Sequence, residues 1–382
     1  MADWRGALAA AVTDGVALVQ LTSVHTLPFS LAQNCTAHHL ALPSVAVAWD
    51  EPSLKALHHH NVSAILADVF GEWEKLDAPT PGLQLRDHES WRFGRETTKA
   101  KRDRQPLGVF GMAGRRLQWL KLYALDRIHA LLPGQPVLVA DADVLWLRPD
   151  AARLLRARCD AGVDAAFMAD RPDASYLGCV NGGFLLSCGT PAAARLFRGF
   201  AEAVGLAADP NDGDEVPSVA RRVRSFSARL RELYAGAASG LEEFVGRGTA
   251  GTPFNDQHLF NYWLATRHAA GAARFEMLNG SHFLNGGTVD RVCAEDIGCP
   301  ADAAACPDPA GCAARPGAAA QLGDAAALHL NWAATATTKV RMARAAASAL
   351  DGRGAAALRA CLPLLEAAES RRREGHERVI SE

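Results

Sequence analysis

The hydrophobic and polar positions of the first seventy residues fall into alternating blocks. Gly15 to Leu21 (GVALVQL) is a short apolar run enriched in Val, which predicts a buried strand with Thr22 and Ser23 at its carboxyl end. Pro28 to Leu40 predicts a helix, because proline suits a first helical turn. Val45 to Trp49 predicts a second strand, Glu51 to His60 a second helix, and Ile65 to Val69 a third strand. This β-α-β-α-β order predicts an α/β fold, a Rossmann-like, mostly parallel sheet with helices on both faces. In such sheets ligands bind beyond the carboxyl ends of the strands. From Asp77 to Lys101 the chain is polar and broken by Pro and Gly, and reads either as a loop over a site or as a surface excursion. An amphipathic helix is predicted from Arg115 to Leu132, ended by Pro133-Gly134.

The next block carries the chemistry. Pro136 to Asp150 reads PVLVADADVLWLRPD, two aspartates one residue apart between apolar runs. On a strand, residues i and i+2 face the same way, so Asp141 and Asp143 would lie side by side at the end of a buried strand. Their mutual repulsion is relieved by a hard divalent cation, Mg²⁺ or Mn²⁺, that leaves positions for phosphate oxygens. A second copy, Asp212-Gly213-Asp214, stands in a Pro/Asn/Gly/Asp loop with no strand before it and reads as a solvated turn.

Three later clusters join this one. Val180 to Ser187 (VNGGFLLS) puts Asn181, Gly182 and Gly183 before a strand, where glycine permits close approach and Asn can contact sugar hydroxyls. Phe254 to Leu264 (FNDQHLFNYWL) starts on a good helix cap, Asn255, and places Asp256, Gln257 and His258 in the first turn. Ala327 to Arg344 supplies His329, a possible metal ligand, and Lys339, a point charge for a phosphate.

Taken in order, DADVLWL, NGGF, DQHLFN and a terminal His-x-Asn followed by Lys resemble the nucleotide-diphospho-sugar transferase domain of glycosyltransferase family 77, over roughly residues 13 to 344. That family includes plant and algal arabinosyl-, xylosyl- and galactosyltransferases of the Golgi. The resemblance implies a GT-A fold, a UDP-sugar donor, Mn²⁺ or Mg²⁺, and retention of anomeric configuration. It implies that Asp141, Asp143 and His329 hold the metal and that Asp141 and Lys339 meet the diphosphate. Thr22 and Ser23 would cradle the nucleotide, Asn181 and Gly182 would line the sugar side, and Asp256 and Gln257 would lie near the anomeric carbon or the acceptor. Lys121 is either a donor contact or a surface lysine. The acceptor would be a glycan or glycoprotein. Two other readings use the same residues: a haloacid-dehalogenase-type phosphatase, with Asp141 as nucleophile and Asp143 as acid/base, and a nucleotide-sugar-binding protein without turnover.

Composition narrows the partners. The 382 residues carry 40 Lys+Arg against 42 Asp+Glu, a net charge of -2, so no broad basic surface for nucleic acid is expected. No run of about 18 apolar residues predicts a membrane span, and the first residues show no signal or anchor pattern. Four of the nine cysteines fall between Cys293 and Cys312 with gaps of five, six and five, which suit small disulfide loops better than a zinc site. Three acceptor sequons, at Asn34, Asn61 and Asn279, point with them to a secretory lumen. The triple and double histidines at 58–60 and 38–39 read as solvated helix ends. Residues 345–382 are expected to form a helical tail, its ESRRREGHER run a solvated face.

Overall fold

A computed structural model describes residues 4–23, 26–49, 51–67, 121, 124–169, 180–203, 260–261, 263–264, 271, 273–286, 322–330 and 336–381. The fold is α/β. Helix α1 (Trp4–Ala10) leads into a hairpin of β1 (Val12–Thr13) and β2 (Val16–Thr22). The hairpin loop is Asp14-Gly15, both with positive φ (46° and 75°), the left-handed pair that a two-residue turn between twisted strands requires. Then come α2 (Leu27–His39), β3 (Val45–Ala48), α3 (Glu51–His59) and β4 (Ala64–Leu66). Each lies within a residue or so of the block that predicts it, except β4, which begins at Ala64 and ends at Leu66. The segment 77–101, and residues 115–120 and 122–123 of the helix expected from Arg115, lie outside the described residues; 121 and 124–131 are helical.

The remaining elements are β5 (Val137–Asp141), β6 (Val144–Trp146), α4 (Ala151–Asp160), β7 (Ala165–Ala169), β8 (Val180–Ser187) and α5 (Pro191–Ala203). They are followed by β9 (Phe275–Met277), β10 (Phe283–Asn285), β11 (Ala327–His329), α6 (Ala336–Ala349) and α7 (Gly352–Ser381). The main sheet runs β4-β3-β2-β5-β8-β7-β9, with β1 at the side of β2. Strands β2 to β5 are parallel, and β8 is antiparallel to both β5 and β7.

Both sheet faces are covered, which is why β2 reads as a near-continuous apolar run. Ala17, Val19 and Leu21 of β2, with Val137 and Val139 of β5, pack toward Trp4, Leu8, Leu125, Ile128, Phe197 and Phe200. Val16, Leu18, Leu138 and Ala140 point to the opposite face, against Ala37, Leu40, Ala151 and Leu155. A second sheet, β10-β11-β6, has its own cluster, in which Leu145, Leu284 and Leu328 meet Val340 of α6 and Leu358 and Leu365 of α7. The hydrophobic packing therefore continues past the expected boundary at 344/345. Residues 369–378, the charged run, lie outside what is described of the side chains.

Two disulfides join distant elements. Cys35 of α2 bonds Cys361 of α7, and Cys159 of α4 bonds Cys188, just beyond β8. The loops expected between Cys293 and Cys312 lie outside the described residues. No described helix is long and apolar enough to cross a membrane.

Candidate metal centre

The two aspartates reach one another by a route other than a shared strand. Asp141 is the last residue of β5, and Ala142 and Asp143 form the turn that passes the chain from the main sheet into β6 of the small one. The small sheet then delivers the third member. β11 runs antiparallel to β6 with His329 opposite Val144, and Leu330 N–H donates to the Asp143 carbonyl at 3.0 Å. His329 Nε2 lies 3.2 Å from Asp143 Oδ1 and 3.8 Å from Asp141 Oδ2. One ligand atom from each of the three falls within 4.8 Å of the others.

Gly183 is why the three side chains fit. In the antiparallel pairing of β5 with β8, Ala140 stands opposite Phe184, so the next pair in the same register sets Asp141 opposite Gly183. A Cβ on residue 183 would overlap His329 Cε1 and Asp141 Oδ2. Asn181, Gly182 and Gly183 thus lie inside β8 rather than in a turn before it, as their composition suggests. The Asn181 side chain accepts the Gly183 N–H at 2.8 Å and so fixes the backbone there. Asn261 holds the start of the same strand as a peptide group would: its Oδ1 accepts Val180 N–H at 2.9 Å and its Nδ2 donates to the Val180 carbonyl at 3.0 Å.

Each aspartate has an ammonium partner. Lys121 is buried, not a surface lysine; its Nζ donates to the Gly182 carbonyl at 2.7 Å and lies 3.1 Å from Asp141 Oδ1. Lys339, from the first turn of α6, pairs with Asp143 Oδ2, and its Nζ sits 5.2 Å from the centre of the Phe29 ring. Burial alone would push the Asp143 carboxyl up; the Lys339 ammonium and the His329 imidazole outweigh it and hold it well below the usual carboxylate range. Asp141 is the open side of the group, its side chain 34% exposed against 12% for Asp143 and 3% for His329.

Thr22 and Ser23 stand at the same sheet edge, since Leu21 pairs with Asp141. There Thr26 Oγ1 accepts the Ser23 N–H at 2.9 Å, turning the chain into α2. Asp256 and Gln257 lie outside the described residues. Composition did not single out Thr26, Asn261 or Asn285. Asn285 lies beside His329 in register and ties β10 to β7 by donating to the Ala169 carbonyl at 3.0 Å. A partial signal existed for Asn261, six residues beyond Asn255 in a segment already rich in amides.

Two carboxylate oxygens and an imidazole nitrogen are a donor set suited to Mn²⁺ and acceptable to Mg²⁺. The buried His329 Nδ1 has no hydrogen-bond partner among the described residues, so Nε2 is the nitrogen committed to the group. The exposed histidines at 38–39 and 58–60 end their helices in solvent, as expected, although His39 lies near the Cys35–Cys361 bridge. Neither a family model nor a curated protein matches the sequence.

Proposed function

We propose that the chain is a metal-dependent, retaining glycosyltransferase of GT-A type, related to family 77, that moves a sugar from a UDP-sugar to a glycan or glycoprotein acceptor. The observation that carries this reading is the convergence of Asp141, Asp143 and His329 at the carboxyl edge of β5, with a lysine on each aspartate. Brought together from four separated parts of the sequence, these groups form a site able to hold a cation and meet a diphosphate. The phosphatase reading needs a further carboxylate at the metal, and among the described residues none joins the three.

Asp141, Asp143 and His329 would hold Mn²⁺ or Mg²⁺, which when bound supplies positive charge where the leaving diphosphate becomes more negative. The protein's own contribution is positioning. Gly183 leaves room for the three side chains, and Asn181 acts through the Gly183 backbone. Lys121, held by the Gly182 carbonyl, keeps an ammonium beside Asp141. Lys339 is a point charge within reach of the same edge, able to exchange a carboxylate oxygen for a phosphate oxygen. Thr22 and Ser23 would face the nucleotide, and Asp256 and Gln257 the anomeric carbon or acceptor. Retention proceeds by attack from the face that UDP leaves, the departing phosphate taking the acceptor's proton. A glycosyl adduct trapped on Asp256 would replace this with a covalent route. The two disulfides support an oxidising compartment, and we assign the Golgi lumen.

The test is UDP release from UDP-sugars with and without Mn²⁺, for wild type and Asp143→Ala. We expect turnover only with the metal, and a fall on the order of a thousandfold in the variant, the scale of several kcal/mol of charge stabilisation. Phosphate released from a monoester would point to the phosphatase instead. Metal-dependent UDP binding with no turnover on any acceptor would point to a binding protein.

A further inference from the structure

The three acceptor sequons are equivalent as sequence and different as structure. Asn34-Cys35-Thr36 lies within α2. The Asn34 carboxamide is engaged at both ends, its Nδ2 donating to the Ser30 carbonyl at 2.8 Å and its Oδ1 accepting from Ser44 Oγ at 3.2 Å. Its middle residue is in a disulfide, and Thr36 is fully buried, its hydroxyl oxygen accepting the Trp146 N–H at 3.1 Å. A glycan on Asn34 would have to coexist with all of these. Asn61-Val62-Ser63 follows α3, with Asn61 exposed at φ 55°, and no hydrogen bond joins Ser63 to its carboxamide among the described residues.

Asn279-Gly280-Ser281 is different. It forms the turn between β9 and β10, all three residues are exposed, and a Cβ on Gly280 would meet nothing within 4 Å. Asn279 Oδ1 accepts two hydrogen bonds from residue 281, from its N–H at 2.9 Å and from its hydroxyl at 2.8 Å, and its Nδ2 makes none among the described residues. That geometry bears on reactivity. A carboxamide nitrogen is a poor nucleophile because its lone pair is delocalised onto oxygen. Two donors on Oδ1 stabilise the negative charge that collects there when Nδ2 gives up a proton, and the nitrogen then has an electron pair to share. The hydroxyl that the sequon demands two residues after the asparagine is already in place.

We infer that Asn279 is a site of N-linked glycosylation and that Asn34 is not. The donor is a lipid diphosphate-linked oligosaccharide supplied by the secretory pathway. The Nδ2–C1 bond forms, the C1–O bond to the diphosphate breaks, the diphosphate leaves with the electron pair, and one Nδ2 proton passes to a base. The assignment depends on passage through a secretory lumen and is independent of the chemistry at Asp141.

The full chain, secreted behind a cleavable leader from a eukaryotic host, is treated with an endoglycosidase that leaves one N-acetylglucosamine on asparagine, then cut with trypsin. That mark survives where spontaneous deamidation of Asn279-Gly280 or Asn285-Gly286 would confuse a simple Asn-to-Asp readout. We expect the sugar on Asn279 in the peptide between Arg274 and Arg291, none on Asn34, and its loss in Ser281→Ala with retention in Ser281→Thr. The Cys35–Cys361 disulfide, read in the same digest, reports that each variant has folded. An unmodified Asn279 in secreted, disulfide-bonded wild-type chain overturns the assignment, as does a glycan on Asn34 in that form.

Discussion

Gly183 shows how a residue with no side chain can govern a site. Its alpha hydrogens occupy the space between Asp141 and His329, and a methyl group there would force one of them away. Gly183→Ala is expected to weaken Mn²⁺ binding about 10- to 100-fold, the range for loss of support around metal ligands, and to cost roughly 1–3 kcal/mol from overpacking. Calorimetric metal titration beside a urea melt separates the two effects; unchanged metal affinity would remove Gly183 from the centre.

His129 is a quieter case. It is buried in the helix before β5, with Nε2 2.9 Å from Ser187 Oγ and its ring stacked on Phe197. Burial lowers its pKa from 6.5 to about 4. The unfolded chain therefore takes up a proton below pH 6.5 that the native chain refuses, and stability falls as pH drops from 6.5 toward 4, by about 3 kcal/mol in all. The double variant His129→Phe/Ser187→Ala should lose that component; urea midpoints across this range would reveal an unchanged slope if the account is wrong. Candidate ligands were legible in the sequence because Asp, His and Lys announce their chemistry. Close approach at Gly183 was legible, but that Asp141 and His329 are what approach it was not, nor was the role of His129, since both come from what the fold sets opposite them.

At the scale of elements, β2 and β3 were legible because strands buried on both faces leave continuous apolar runs. The β1–β2 hairpin was overlooked even though Asp14-Gly15 is a strong turn signal, since β1 is only two residues long. The small sheet was illegible for another reason. β6, β10 and β11 have three residues each and pair across long sequence separations, so no local period records them. The two aspartates illustrate the cost: a period-two argument brought them together correctly, but on one strand, whereas the chain turns between them to change sheets.

Asn261 belongs to this scale because it completes a strand. Asn261→Ala would leave the Val180 N–H and carbonyl without these partners, a loss of about 1–3 kcal/mol per buried group. Faster amide exchange should appear at 180–183 before it appears in β2 or β3. If exchange rises evenly over the sheet, the side chain is not acting as a local clamp.

For the whole molecule, the disulfides differ in the length of chain they close. Cys35 and Cys361 are 326 residues apart, and Cys159 and Cys188 are 29 apart. If each acts mainly by restricting the unfolded chain, the logarithmic dependence on loop length makes Cys35–Cys361 worth about 2 kcal/mol more. Paired Cys→Ser replacements compared by urea unfolding test the ranking, and the reverse order would place the stabilisation in native contacts instead. This bridge and the contacts of α7 with the small sheet also explain why a tail inferred from composition helps to build the core.

The same bond has a topological consequence. With Cys35 and Cys361 joined, the backbone between them is a closed covalent ring. A single peptide cut anywhere between those cysteines opens the ring without dividing the molecule, so such a nicked chain migrates as one species until a reductant is added.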